Sequence, residues 1–236
     1  NNISGTLIGT AQENRYSNAD NLFKSLPYRN LGLAGRLSYN FDSRYFIESN
    51  FGYNGSERFS KNHRFGFFPT IGASWVVSNE KFWVPLSDVV NKLKLRASYG
   101  LVGNDAISDR RFFYLSDVNL RGGGNYAQFG TNGYTRDGVF INNYENLDVT
   151  WETSRQTNIG VEFSLFKSLD VIAEYYNNFK YNILMNRASV PSTLGLESGI
   201  TANLGKVRSR GVDLSLDYKH SFDNGFSAAV RSNFTY

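Results

Sequence analysis

From Arg64 to Val77 the chain reads RFGFFPTIGASWVV, with an apolar or small residue at every second position: Phe65, Phe67, Pro69, Ile71, Ala73, Trp75 and Val77. A period of two predicts a β-strand with two unlike faces. The alternation recurs along the chain. NLGLAGRLSYNF puts Leu31, Leu33, Gly35, Leu37, Tyr39 and Phe41 on one face, and YFIESNFGYN puts Tyr45, Ile47, Phe51 and Tyr53 there. LKLRASYG gives Leu93, Leu95, Ala97 and Tyr99; TNIGVEFSL gives Ile159, Val161, Phe163 and Leu165; LDVIAEYY gives Leu169, Val171, Ala173 and Tyr175. VDLSLDYK gives Val212, Leu214, Leu216 and Tyr218, and FSAAVRSNFTY gives Phe226, Ala228, Val230, Phe234 and Tyr236. Eight strands are predicted. No apolar face, phased in this way, carries Asp, Glu, Lys or Arg, while the opposite faces carry many.

Both soluble sandwiches and membrane barrels alternate like this. Three features favour the barrel. The apolar faces end in aromatics such as Tyr39, Phe41, Tyr53, Trp75, Tyr99, Tyr175 and Tyr218, as interfacial girdles do. Strands of about ten residues, at about 3.3 Å each and tilted by about 45°, span roughly 23 Å of height, close to the apolar band of an outer-membrane barrel. The connections also alternate. FDSRY (41–45), LFKSL (165–169) and FDNGF (222–226) are tight, whereas about 54–63, 101–150 and 186–205 are long. One connection on the tight side, SNEKFWVPLSDVVNK (78–92), is longer and is expected to hold a helical turn. Short turns at one end and long loops at the other fit a barrel whose long loops face outside the cell. Pro69 is the anomaly, because a proline gives no N–H to a ladder. It is expected at a bulge or in the upper part of its strand, where a neighbouring carbonyl reaches water.

Composition changes little. Aromatics make up 16% and charged residues 19% of the 236 residues, with 22 glycines and no cysteine. A mean hydropathy of −0.39 is what two cancelling faces would give. No window of about eighteen apolar residues exists for a transmembrane helix. The net charge of +4 is too diffuse to imply nucleic acid.

Four stretches in order carry a family resemblance: RYFIESNFGYNGSERFSKNHRFGFFPTIGASWVVSNEKFW (44–83), VNKLKLRASYGLVGN (90–104), WETSRQTNIGVEFSLFKS (151–168) and NLGKVRSRGVDLSL (203–216). Together they resemble the barrel of SusC/RagA-type TonB-dependent outer-membrane transporters. The resemblance implies an all-β, antiparallel transmembrane barrel of 22 strands around an N-terminal plug, of which these eight strands would be about a third. Residues 1–236 are then expected to be a partial barrel domain, with the plug outside the sequence. It implies uptake of oligosaccharides or peptides rather than catalysis. The implied partners are outer-membrane lipids, a SusD-like surface lipoprotein lid, and a TonB complex reached through the missing N-terminal region. Two other readings stay open: a complete eight-stranded outer-membrane barrel with a structural or adhesion role, and a soluble carbohydrate-binding β-sandwich.

No catalytic, cofactor-binding or metal-binding constellation is expected. RGGGN (121–125) lacks the Lys-Ser/Thr of a phosphate loop. Asn104, Asp105 and Asp109 are oxygen-rich but do not follow EF-hand spacing. His63 and His220 read as ordinary surface residues. The segment YAQFGTNGYTRDGVFINNYEN (126–146) reads as a long structureless loop, and such loops are usually functional. Its Tyr126, Phe129, Tyr134, Phe140 and Tyr144 are the candidate substrate contacts, since flat aromatic faces suit sugar rings or peptide side chains. The alternative is that they only pack the loop onto itself or onto a lid. The polar faces, with Arg36, Glu48, Arg64, Lys94, Arg96, Glu162, Glu174, Asp213, Asp217 and Arg231, should line a lumen. Their mixed signs predict cross-strand pairing and plug docking more than a single charged path.

Overall fold

Eleven strands account for most of the chain in a computed structural model that describes residues 1–18, 22–222 and 225–236. They are β1 (Asn2–Asn14), β2 (Tyr28–Phe41), β3 (Tyr45–Ser56), β4 (Phe65–Val76), β5 (Val90–Asn104), β6 (Asp117–Phe129), β7 (Tyr134–Asn143), β8 (Glu152–Leu165), β9 (Leu169–Asn186), β10 (Thr201–Ser221) and β11 (Ser227–Thr235). Nine of them form one sheet in the order β1-β2-β3-β4-β5-β8-β9-β10-β11, with every neighbour antiparallel. β6 and β7 form a separate hairpin.

All eight predicted strands are present. The ninth, β1, escaped the pattern because its apolar face is diluted: Ile3 and Leu7 alternate with Gly5, Gly9 and Ala11, while Ile8 falls out of phase. β1 and β11 each pair on one side only, so the sheet is open. That geometry replaces both alternative readings. A complete small barrel would join its first and last strands, and a sandwich would stack two sheets. The accessible surface agrees. It is 16256 Å², against roughly 10,700 Å² for a self-contained globular chain of this mass.

Both faces of the open sheet contribute to this surface, and its exposed apolar part is concentrated on one of them. Leu31, Leu37, Ile47, Phe67, Ile71, Tyr99, Ile159, Val212 and Phe234 are all exposed and share the predicted apolar face. Aromatic pairs mark both ends of that face. Tyr45 stacks on Trp75 with centroids 6.1 Å apart, and Tyr53 stacks on Phe65 at 5.1 Å.

The turns follow the predicted asymmetry, with 77–89 the long exception on the tight side, where it holds the expected helical structure as two 3₁₀ segments. On one side lie 42–44, 77–89, 166–168 and 222–226; on the other lie 15–27, 57–64, 105–151 and 187–200. Asp42 and Ser43 both take positive φ (51° and 52°), as a tight hairpin of primed type requires. Phe166 and Lys167 do the same (52° and 55°) without residues suited to it. Neighbours hold them: Phe166 N donates to Val89 O at 3.0 Å, and Lys167 N donates to Asn91 Oδ1 at 2.5 Å. Asp223 and Asn224 of the predicted turn at 222–226 lie outside the described residues.

Pro69 is the fifth of the twelve residues of β4, just above the strand's middle, and there is no bulge. Its register with β3 is unbroken (Phe51 opposite Pro69), but pairing with β5 runs only from Val76–Lys94 to Thr70–Gly100. The second ladder therefore stops one residue short of the proline, where a missing N–H leaves no rung broken. Beyond that point β5 continues on β8 alone, up to Asn104 opposite Glu152. The ring of Phe68 fills the resulting gap. A Cβ on Gly103 or Gly66 would lie in that ring, so these two glycines are what allow it to enter.

Phe68 belongs to the one apolar cluster found among the described residues. Phe59, Phe113, Val149 and Trp151 are buried together, with Phe68, Ile107 and Leu184 packed around them. Phe59 lies 5.1 Å from Trp151 and 6.0 Å from Phe113; Phe68 lies 5.4 Å from Trp151. The core thus holds the long loops together at the mouth of the sheet and does not run through its centre.

Candidate functional site

The concave, polar face of the sheet is the first candidate surface, and period-two alternation puts its residues there. An open concavity of about 820 Å³ is lined by small residues such as Gly72, Ser74 and Ser98 beside Glu48, Arg96 and Asn158. The charges pair across strands. Arg36 bridges to Glu48 at 2.5 Å, and Asn50 Nδ2 donates to the same carboxylate at 2.8 Å. Glu162 collects Lys92 (2.9 Å), Arg96 (3.5 Å) and Lys94 (3.7 Å), and Arg96 also pairs with Glu174. Asp217 takes Arg231 at 2.8 Å and Lys219 at 3.4 Å. Eight of the ten predicted lumen charges are therefore in ion pairs. The other two are Arg64 and Asp213, whose Nε and Oδ1 atoms are buried without a hydrogen-bond partner among the described residues. Asp213 also stands opposite Glu174 in the ladder, an unfavourable like-charge register.

The second candidate surface is the long connection 105–151. It is not structureless: β6 and β7 pair with Phe129 opposite Tyr134 next to the turn, and with Asp117 opposite Asn143 at the base. Sequence alone missed this hairpin because its ladder shifts register at three places and its strands are rich in glycine and asparagine. The five candidate aromatics separate. Tyr126, Phe129 and Tyr134 are exposed towards the tip, and Arg136 lies over Tyr134 at 5.0 Å. Phe140 is half-buried opposite Asn119. Tyr144 lies beyond the base, where its hydroxyl accepts from Glu197 N at 3.2 Å. Side chains 123–125 lie outside what the structure describes.

Polar bonds fix the base of the hairpin to its neighbours. Asn143 Nδ2 donates to Phe113 O (2.9 Å) and Leu115 O (2.7 Å). Ile141 N donates to Glu197 Oε2 at 2.6 Å, and Asn203 exchanges two 2.9 Å bonds with the backbone of Thr150. Ser60 Oγ reaches Leu147 O at 2.6 Å, and Ser56 Oγ reaches Asp105 Oδ2 at 2.7 Å. Asp105 thus serves as a loop tie, and Asn104 Oδ1 accepts from Ala106 N at 3.0 Å. Among the described residues, no three His, Cys, Asp or Glu gather in a metal-binding group.

At the short-turn end, Glu80 was not singled out by sequence. Its carboxylate accepts from the Tyr45 hydroxyl (2.6 Å), Arg44 Nη1 (2.8 Å) and Trp75 Nε1 (3.2 Å). Those bonds, the Tyr45 hydroxyl first and then Arg44, hold its carboxyl below the usual range against the opposing effect of burial. Only its place in SNEKFW, between two turns of 3₁₀ helix, hinted at this.

One apolar face, one charged concave face, and loops of alternating length define the wall of a transmembrane β-barrel. The chain belongs to the TonB-dependent receptor family: the family described as TonB dependent receptor-like, beta-barrel matches residues 4–236. A TonB-dependent receptor, P39, from Formosa agariphila is 33% identical over 205 residues, covering 86% of this chain and 18% of the relative. TonB-dependent receptor SusC from Bacteroides thetaiotaomicron is 30% identical over 208 residues, covering 86% and 20%. The chain spans about a fifth of the length of these relatives. The RagAB peptide importer in its open-open state shares the fold with a TM-score of 0.73 at 24% identity, covering 89% of this chain and 22% of that one. Barrels of this family are outer-membrane proteins of Gram-negative bacteria, and its members are transporters rather than enzymes.

Proposed function

We propose that this chain is a partial barrel domain, without the plug, of an outer-membrane transporter that imports oligosaccharides or peptides under TonB coupling. The observation that carries this reading is the pairing of two surfaces on one wall: a charge-balanced concave face and a firmly tied extracellular hairpin with exposed aromatics. A concave face that neutralises its own charges suits a plug packed against it, since a docked domain meets no net field. Arg64 and Asp213 are the exceptions: both side chains are half-buried and neither is in an ion pair among the described residues, so a plug group of opposite charge would pair with each. Tyr126, Phe129 and Tyr134 are the substrate contacts in this reading. Phe140 and Tyr144 hold the hairpin in place for them. A SusD-like lipoprotein would cover the same mouth from outside.

The test uses the full-length protein in its outer membrane. Tyr126, Phe129 and Tyr134 are replaced together by alanine, and ligand binding is measured across panels of oligosaccharides and peptides. The expected result is binding weakened by about tenfold or more, because each stacked ring contributes about 1 kcal/mol or more, with normal barrel assembly. Unchanged binding to every ligand that the wild type binds would reject the hairpin as the capture surface.

A further inference from the structure

On the lipid-facing side, the apolar faces of β8, β9 and β10 continue upward into a different chemistry. In β8 the face runs Leu165, Phe163, Val161, Ile159, Thr157 and then Arg155. In β9 it runs from Leu169 through Tyr175 and Asn177 to Phe179, and in β10 from Tyr218 through Val212 to Arg210 and Arg208. No register shift interrupts these stretches, and the ladders set Arg155 opposite Phe179 and Phe179 opposite Arg208. The guanidinium of Arg155 lies 5.2 Å from the centre of the Phe179 ring and that of Arg208 lies 5.3 Å from it. Two cations share one ring, and Arg210 is one step below on the same face.

Depth gives this group its meaning. Arg155 is ten residues above Leu165, and Phe179 is ten above Leu169, the residues that flank the 166–168 turn. Ten residues at about 3.3 Å each, tilted by about 45°, rise roughly 23 Å, the top of an apolar band about 25 Å tall. That is the level of the outer-leaflet headgroups. The arginines are exposed there, and none forms an ion pair among the described residues. Elsewhere on the same face the sheet neutralises such a charge: Arg29, two residues above Leu31, pairs with Glu13 at 2.8 Å and Glu57 at 3.6 Å.

We infer that Arg155, Arg208 and Arg210, gathered around Phe179, bind the phosphate groups of an anionic glycolipid in the outer leaflet. Arginine forks match phosphate oxygens in pairs. A phosphate between Arg155 and Arg208 offsets the repulsion of two cations over one ring, and the acyl chains below it lie on Ile159, Tyr175 and Val212. The inference is independent of the imported substrate and needs only that this face meets lipid.

The full-length protein in detergent is loaded with phosphorylated lipid A, and retained lipid is counted by native mass spectrometry. Arg155, Arg208 and Arg210 are changed together to glutamine; a second variant carries lysine at all three positions. The glutamine variant is expected to retain at least about tenfold less lipid, and the lysine variant, which keeps the charge but loses the paired fork, to fall between it and the wild type. Arg29→Gln, which removes a cation already paired, should change retention less than about twofold. Lipid A stripped of phosphate should be retained as poorly by the wild type as phosphorylated lipid is by the glutamine variant. Equal retention by the wild type and the glutamine variant would overturn the inference, as would equal retention of the two lipids. Displacement of the lipid by millimolar inorganic phosphate would mark a free-anion site and overturn the lipid assignment. A change in oligomeric mass with lipid retention unaltered would show that this face meets a second copy, and would overturn it too.

Discussion

Single residues hold this wall in place at its two rims more than at its centre. At the upper rim, Phe59 is fully buried against Phe113 and Trp151, and it joins the loop after β3 to the long connection that carries the hairpin. Phe59→Ala should cost about 3–5 kcal/mol, as for other large aromatic deletions in a packed cluster. The loss should appear as faster hydrogen exchange across 105–151, with β2–β5 as protected as before. At the lower rim, Glu80 accepts from Tyr45 and Arg44, and its carboxyl titrates below the ordinary range. Its folded pKa is lower than its unfolded value of about 4.3. The stabilisation is therefore complete above the unfolded value and is lost as pH falls through the folded one. Urea unfolding of wild type and Glu80→Gln should differ at pH 7 and converge as the pH is taken below about 4. A gap that stays constant with pH would remove Glu80 from that role.

Among the elements, the strands were legible to the degree that they obey a two-residue period. β2 to β5 and β8 to β11 show it because lipid demands an unbroken apolar face and the lumen demands a polar one. β1 hides behind Gly5, Gly9 and Ala11, and β6–β7 hide because a hairpin above the membrane has no lipid to select a face. Pro69 was legible as an irregularity, but its solution needed coordinates: the strand loses a neighbour there instead of bulging. The ion pairs were legible in sign and face, not in partner, because Glu162 gathers cations along β5 as well as straight across from it. The rims were not legible, since Glu80 and the loop cluster depend on contacts between residues far apart in sequence. Depth along a strand sets a further expectation. Ile159 lies six residues above Leu165, near the middle of the apolar band, so Ile159→Arg should destabilise the assembled barrel by about 2–4 kcal/mol. The natural Arg155, four residues higher, should cost close to nothing when compared with Arg155→Leu in the same folding assay.

For the whole molecule, the open sheet and its large accessible surface describe a wall that needs lipid on one side and further protein on the other. Both edge strands carry one ladder each, and both faces expose what a partner or a bilayer must cover. The most direct test is a scan along β4 in the full-length protein within its membrane. Single cysteines replace Phe65 to Trp75 in turn, and each is labelled with a fluorophore and exposed to a lipid-borne quencher and then to an aqueous one. The account predicts strict alternation: 65, 67, 71 and 73 quenched from the lipid, and 68, 70, 72 and 74 silent to it. Equal aqueous quenching of both sets would contradict the assignment of this sheet as a membrane-spanning wall.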